Sequence, residues 1–196
     1  MWTVNISKMM FMHELQLETR KRIYDCIVAS PGLHFREAQR RVGIATGSID
    51  YHLHYLHRHG LIRTEKVGKY VRYYPLTKNF SDEEKKFLSL LRQKNIRRIL
   101  IYTIERKTAN PADIAAFLGF SPSTLSWYLK KLEEGGIIVH TKRGRFRNYK
   151  VVDKDTIVKY LILHKSSFLD EMVDRFIDTW GAKYNINDVK QQQGKL

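Results

Sequence analysis

The chain repeats itself. Residues 44–61 read Ile-Ala-Thr-Gly-Ser-Ile-Asp-Tyr-His-Leu-His-Tyr-Leu-His-Arg-His-Gly-Leu, and residues 120–137 read Phe-Ser-Pro-Ser-Thr-Leu-Ser-Trp-Tyr-Leu-Lys-Lys-Leu-Glu-Glu-Gly-Gly-Ile. A step of 76 positions takes Gly43 to Gly119, Leu53 to Leu129, Leu56 to Leu132, Gly60 to Gly136, Gly68 to Gly144 and Tyr73 to Tyr149. The same step takes Arg22-Ile23 to Arg98-Ile99. A register held without a gap over this length is an internal duplication, and two copies are too few to stack as a solenoid. Chance matching of two amphipathic helices does not account for glycines that coincide outside the helices.

Each copy centres on one helix with two different faces. Ile49, Leu53 and Leu56 fall at i, i+4 and i+7 and form a narrow apolar stripe. At about 100° per residue the opposite side carries Asp50, Tyr51, His54, Tyr55 and Arg58. Gly60 follows the last turn, where a helix end favours a residue able to take positive φ. The stripe docks the helix, and the polar and aromatic face stays outside.

The elements around this helix follow from local signals. A helix over residues 19–30 ends at Pro31-Gly32. Leu33 and His34 suit a very short strand, and residues 35–42 a second helix closed by Gly43. After the central helix, Ile62, Val67, Tyr70, Val71, Tyr73 and Tyr74 bracket Gly68-Lys69 and predict a two-stranded hairpin. The order helix, short strand, helix, turn, helix, hairpin is that of a winged helix-turn-helix, whose third helix fits a DNA major groove. Ser81 and Glu84 form a capping box that opens a linker helix. In the second copy, Asn110-Pro111 and Ser121-Pro122 each place a cap before a proline at the first helical position. Residues 138–152 form the second wing, with Gly144 at its tip. Residues 153–163 read as a connector helix. Residues 166–180 read as one amphipathic helix whose side carries Phe168, Leu169, Met172, Val173, Phe176, Ile177 and Trp180.

The expected fold is mainly α with small β-hairpin wings: two tandem winged helix-turn-helix domains plus a C-terminal amphipathic helix. The segments are an N-terminal arm over residues 1–18, the two domains over 19–80 and 81–152, C-terminal helices over 153–180 and a tail over 181–196. The apolar face of the C-terminal helix either docks on its own chain or pairs with a second subunit as a homodimer.

Charge points to a polyanion. Among 196 residues, 35 are Lys or Arg and 20 are Asp or Glu, a formal net charge of +15, which favours nucleic acid as partner. The single cysteine, Cys26, lies in a helical apolar pattern and reads as a small core residue. No run of 18 apolar residues predicts a membrane span. Residues 1–12 lack the pattern of a signal peptide, so a cytoplasmic location without membrane contact is expected.

Residues 43–62, followed by Gly68-Lys69-Tyr70-Val71-Arg72-Tyr73-Tyr74-Pro75, resemble the winged helix-turn-helix of the ArsR and MarR type. The second copy, Leu118-Gly119-Phe120-Ser121-Pro122-Ser123-Thr124-Leu125-Ser126-Trp127-Tyr128-Leu129, resembles it too. The nearest group is that of the archaeal tandem winged-helix transcriptional regulators. The resemblance spans about residues 19–152 and implies sequence-specific binding of double-stranded DNA and control of transcription.

Affinity needs phosphate contacts and sequence choice needs base contacts. On the first recognition helix the candidates are Thr46, Ser48, Tyr51, His54 and Arg58. On the second they are Ser123, Thr124, Ser126, Trp127 and Lys130. Trp127 either touches DNA or packs on its own wing. The first wing offers Lys69 and Arg72. The second offers Arg143, Arg145 and Arg147 beside Lys142 and Lys150, without an acid, and suits a phosphate clamp. His52, His54, His57 and His59 crowd one helix, yet no cysteine cluster or carboxylate-histidine set completes a metal shell. No metal and no cofactor are expected. His54 is assigned to DNA, and His52 and His57 to the core boundary. Four imidazoles of ordinary pKa predict DNA affinity that strengthens as pH falls toward 6.

A sequence-specific regulator is the leading reading. The alternatives are a non-specific architectural nucleic-acid binder and a winged-helix protein-interaction scaffold. The chain shows no phosphate-binding glycine loop, no nucleophile motif and no paired carboxylates in a cleft, so no enzyme and no catalytic residue is expected.

Overall fold

The computed structural model describes residues 17–143, 146–168, 170–181 and 184. Most of the N-terminal arm, the tip of the second wing and nearly all of the tail lie outside the described residues. The chain divides into two compact units between Ser89 and Leu90. The division falls inside the linker helix, where the sequence reading placed a boundary at its start.

The first unit runs α1 (Glu18–Ala29), β1 (Leu33–His34), α2 (Phe35–Val42), α3 (Thr46–Arg58), β2 (Ile62–Val67) and β3 (Tyr70–Pro75), and α4 (Asp82–Leu91) crosses the division. β3 lies in the middle of a three-stranded antiparallel sheet, paired with β2 from Ile62↔Pro75 to Val67↔Tyr70 and with β1 through Leu33↔Tyr73. The core gathers Ile23 and Ile27 from α1, Ala38 and Val42 from α2, and the stripe Ile49, Leu53 and Leu56 from α3. Cys26 packs half-buried against it. The capping box closes as the sequence requires: Glu84 N donates to Ser81 Oγ (3.1 Å), and Ser81 N donates to Glu84 Oε2 (2.8 Å).

The second unit repeats the plan with α5 (Lys94–Glu105), α6 (Pro111–Leu118), α7 (Pro122–Glu134), β4 (Ile138–Arg143) and β5 (Phe146–Val151). The step of 76 maps α1, α2, α3, β2 and β3 onto these five elements bound for bound. The short strand β1 shrinks to an isolated bridge, Ala109↔Tyr149, which is Leu33↔Tyr73 moved by the same step. Gly43 and Gly119 end α2 and α6 with φ of 71° and 68°. That left-handed conformation suits glycine, and it turns the chain toward the next helix.

The C-terminal segment corrects the expectation of one long helix. Among the described residues three helices follow the second wing: α8 (Lys154–Leu163), the single turn α9 (Lys165–Phe168) and α10 (Glu171–Trp180). Asp170 stands at the break, with an extended backbone (φ −137°, ψ 105°). Its side chain caps α10 by accepting from Met172 N (3.2 Å), and its other oxygen accepts from Arg97 Nη2 (2.6 Å) and Nε (3.0 Å). Arg97 also donates to the Leu91 carbonyl (2.8 Å), and both side chains are buried. The apolar side of α10 packs on α5 and α8, burying Val173, Phe176 and Ile177. Met172 and Trp180 on the same side are half-buried.

Asp170→Ala leaves the Arg97 charge buried without its partner. The second unit should lose about 3–5 kcal/mol of stability, read as a lower urea midpoint for its unfolding transition, while the transition of the first unit stays in place.

Candidate nucleic-acid interface

On α3 the buried stripe holds the helix so that Thr46, Ser48, Asp50, Tyr51, His54 and Arg58 are exposed. Ala45 is the N-cap and makes no side-chain cap hydrogen bond, so the first backbone N–H groups of α3 keep no side-chain acceptor there. Thr46 Oγ1 accepts from Gln39 Nε2 (2.9 Å), which ties the helix start to α2. His54 Nδ1 lies 2.9 Å from the Asp50 carbonyl and 3.5 Å from its carboxylate. On α7, Ser123, Thr124, Ser126, Trp127 and Lys130 are exposed in the same way. This helix start is capped: Thr124 N donates to Ser121 Oγ (3.2 Å), and the hydroxyls of Ser123 and Thr124 lie 3.1 and 2.8 Å from the same atom. Lys130 pairs weakly with Glu134 across one turn (3.9 Å). The Trp127 ring meets Tyr128 edge-on and sits under Lys131 Nζ, 4.9 Å from its centroid, so its recorded partners lie on its own helix.

The wings differ from the sequence reading. Lys69 is exposed at the first tip, with its ammonium 5.4 Å above the Tyr70 ring. Arg72 is not a surface cation. It is 6% exposed and donates through Nη1 to the Gly32 carbonyl (2.6 Å). The cause is β1: pairing His34 opposite Arg72 brings α2 and the turn before β1 over that face of the hairpin. Burial also pulls the Arg72 guanidinium below its ordinary pKa, with Tyr74, Glu37 and Tyr70 acting in the opposite direction. Arg72 is a structural strut. In the second wing Lys142, Arg147 and Lys150 are exposed, whereas the Arg143 side chain and all of Arg145 lie outside what is described.

The sequence reading passed over Arg36 and Arg40. They stand one turn apart on α2, exposed, opposite buried Ala38 and Val42. Helical spacing alone would have found them. The equivalent helix α6 has no basic residue and instead exposes Phe117, whose ring packs on Tyr102 (4.7 Å).

The histidines separate by environment. His52 is buried, and its Nδ1 has no hydrogen-bond partner among the described residues. Desolvation first, then the nearby Arg20 charge, lower its pKa. His34 caps α2 by accepting from Glu37 N at Nδ1 (3.3 Å), and burial is the main cause of its lowered pKa; the charges of Arg72, Arg40 and Arg36 add to this, and that of Glu37 opposes it. His57 is exposed, with Nδ1 3.3 Å from the Ile62 carbonyl, and His59 stacks on Tyr55 at 4.0 Å. So His52 lies inside rather than at the boundary, and its lowered pKa works against a positive charge there. Among the described residues no group of three or more His, Cys, Asp or Glu is placed to hold a metal ion. Nor is any helix among them long and apolar enough to cross a membrane.

A family model described as an N-terminal HTH domain matches residues 17–88, and one described as winged helix-turn-helix DNA-binding matches residues 92–139. The chain carries two tandem helix-turn-helix domains. Over 143 residues, 73% of this chain, it is 29% identical to an uncharacterized HTH-type transcriptional regulator of Methanocaldococcus jannaschii. The match takes in 35% of that relative, so the chain spans about a third of its length. HlyU from Vibrio cholerae aligns with 46% of this chain and 94% of its own, at 25% identity and a TM-score of 0.35. In helix-turn-helix terms, α2 and α3 form the first motif and α6 and α7 the second.

The histidine environments give a pH dependence. The unfolded chain binds protons at histidine near pH 6.5, whereas folded His34 and His52 bind them only at lower pH. Their contribution to the first helix-turn-helix domain is therefore complete above about pH 6.5 and is lost as pH falls through the lowered folded values. The urea midpoint of that domain should drop between about pH 7.5 and 5, and H52L combined with H34N, which keeps a capping acceptor, should flatten the drop.

Proposed function

We propose that this chain is a transcription regulator that binds double-stranded DNA with sequence preference, through two unlike recognition helices and the wings beside them. The observation that carries this reading is the same in both domains. A buried aliphatic stripe fixes α3 and α7, and each turns outward a face of hydroxyls, an aromatic ring and a cation. Such a face offers hydrogen-bond and apolar contacts to base edges in a major groove. Exposed Arg36 and Arg40 on α2, Lys69 on the first wing, and Lys142, Arg147 and Lys150 on the second wing supply phosphate contacts around it. The name of the archaeal relative and the description of the second family model point the same way. The ArsR and MarR type belongs to the proposal.

The two readers carry different groups. Tyr51, His54 and Arg58 stand where the second copy has Trp127, Lys130 and Glu134. The preferred site should therefore consist of two dissimilar parts. A homodimer through the C-terminal helix belongs to the proposal as well, with half-buried Met172 and Trp180 as its apolar contacts, because Val173, Phe176 and Ile177 are buried within their own domain.

Selection of the purified chain on randomised duplex DNA at physiological salt, about 0.15 M, should enrich a two-part asymmetric motif. Retention without any motif would instead favour an architectural binder held by the net charge of +15. In the selected complex, K142A and R147A should each weaken binding to all sequences alike and reduce the slope of log K against log salt by about 1.

A further inference from the structure

Two large aromatic side chains are exposed where a soluble domain gains nothing by exposing them. Tyr51 is 61% and Trp127 is 56% exposed. They are the same position of the duplication, one step of 76 apart. At about 100° per residue, each lies roughly 190° around its helix from the centre of its buried stripe. The ring therefore stands on the outermost line of the helix in both domains, with Arg58 or Glu134 two turns further along. The surrounding face has changed between copies: Ser48 to Thr124, His54 to Lys130 and Arg58 to Glu134. The aromatic character at the apex is the same.

The approach to each ring is open. One turn earlier stands Gly47 in the first copy and Ser123 in the second, and nothing lies within 4 Å of where a side chain at Gly47 would begin. A ring at the apex of a helix is the first group to reach the floor of a groove, whereas rings on the flanks would meet the walls. The floor of the major groove presents donors, acceptors and one apolar group, the C5 methyl of thymine. An aromatic ring leaving water gains free energy against that methyl and loses it against an unpaired polar edge.

We propose that Tyr51 and Trp127 are specificity-determining residues that each read a thymine methyl group, one in each part of the DNA site. The proposal rests on the duplex-DNA reading above and names the base feature that each recognition helix selects. The Lys131 ammonium lies 4.9 Å from the Trp127 ring centroid, and Tyr128 meets the ring edge-on, so the indole is held from its own helix while it stays 56% exposed.

Deoxyuridine keeps the hydrogen-bonding groups of thymine and lacks only this methyl, so it isolates the contact. The full chain is first taken through selection to a preferred duplex, and each thymine of that duplex is then replaced singly by deoxyuridine. One position in each part should lose about fourfold in affinity, the worth of one buried methyl group. W127S should abolish the sensitivity at one position and Y51S at the other, whereas W127F and Y51F should retain it. The serine variants change exposed positions, and unchanged thermal melting confirms that they fold. Specific binding that is indifferent to every thymine-to-uracil exchange would overturn the proposal and leave the regulator reading standing. So would a preferred motif without thymine in either part. Absence of any preferred sequence would sink both.

Discussion

Ile49, Leu53 and Leu56 on α3, and Leu125, Leu129 and Leu132 on α7, are almost completely withdrawn from water. Each such side chain contributes about 2 kcal/mol of hydrophobic free energy, enough in sum to fix the rotation of a short helix about its own axis. That rotation is what the outer surface depends on. With the stripe inward, Tyr51 and Trp127 point away from the core, and hydroxyls and cations fall in a band beside them. A helix turned by one residue would bury this band and expose the leucines. Gly43 and Gly119 set where each helix begins, and the hairpin after it starts from the next buried residues, Leu61 and Ile137.

The two domains share this frame and spend their charges differently. In the first, basic groups stand on α2, at Arg36 and Arg40, while the hairpin turns Arg72 inward and ties Glu65 to Lys85 (3.1 Å). In the second, α6 carries no base and the hairpin exposes Lys142, Arg147 and Lys150. The difference follows from the residues at matching positions. Arg72 corresponds to Asn148, and Arg147 and Lys150 stand where the first hairpin has Val71 and Tyr74. Strand β1 pairs two residues with β3, and the Gly32 carbonyl just before it accepts from Arg72. Helix start chemistry diverges as well, since Ser121 caps α7 and Ala45 leaves α3 uncapped.

Much of this frame is legible in the residues themselves. The duplication, the stripes, the glycine helix ends, the Ser81–Glu84 box and the Asn110 and Ser121 caps all act over a few positions, so a local reading finds them. The exposed candidates on α3 and α7 were legible for the same reason, because helical periodicity sorts inner from outer side chains. Arg72 was not. In a two-stranded hairpin its side faces solvent, and only the turn before β1 and helix α2, far back in the chain, enclose it. His52 was placed at the edge of the stripe, but α1 brings Arg20 beside it and the ring ends inside.

The order of elements, the repeat of 76 positions and the orientation of α3 and α7 follow from the chain as written, because nearest-neighbour sterics and helical periodicity suffice to set them. The fate of individual charges rests on contacts between distant residues. Arg72 meets the Gly32 carbonyl across 40 positions, and Arg97 meets Asp170 across 73. A lysine or arginine is written the same way whether it ends in water or in a buried hydrogen bond. Which of the two it becomes depends on what the rest of the fold lays over it.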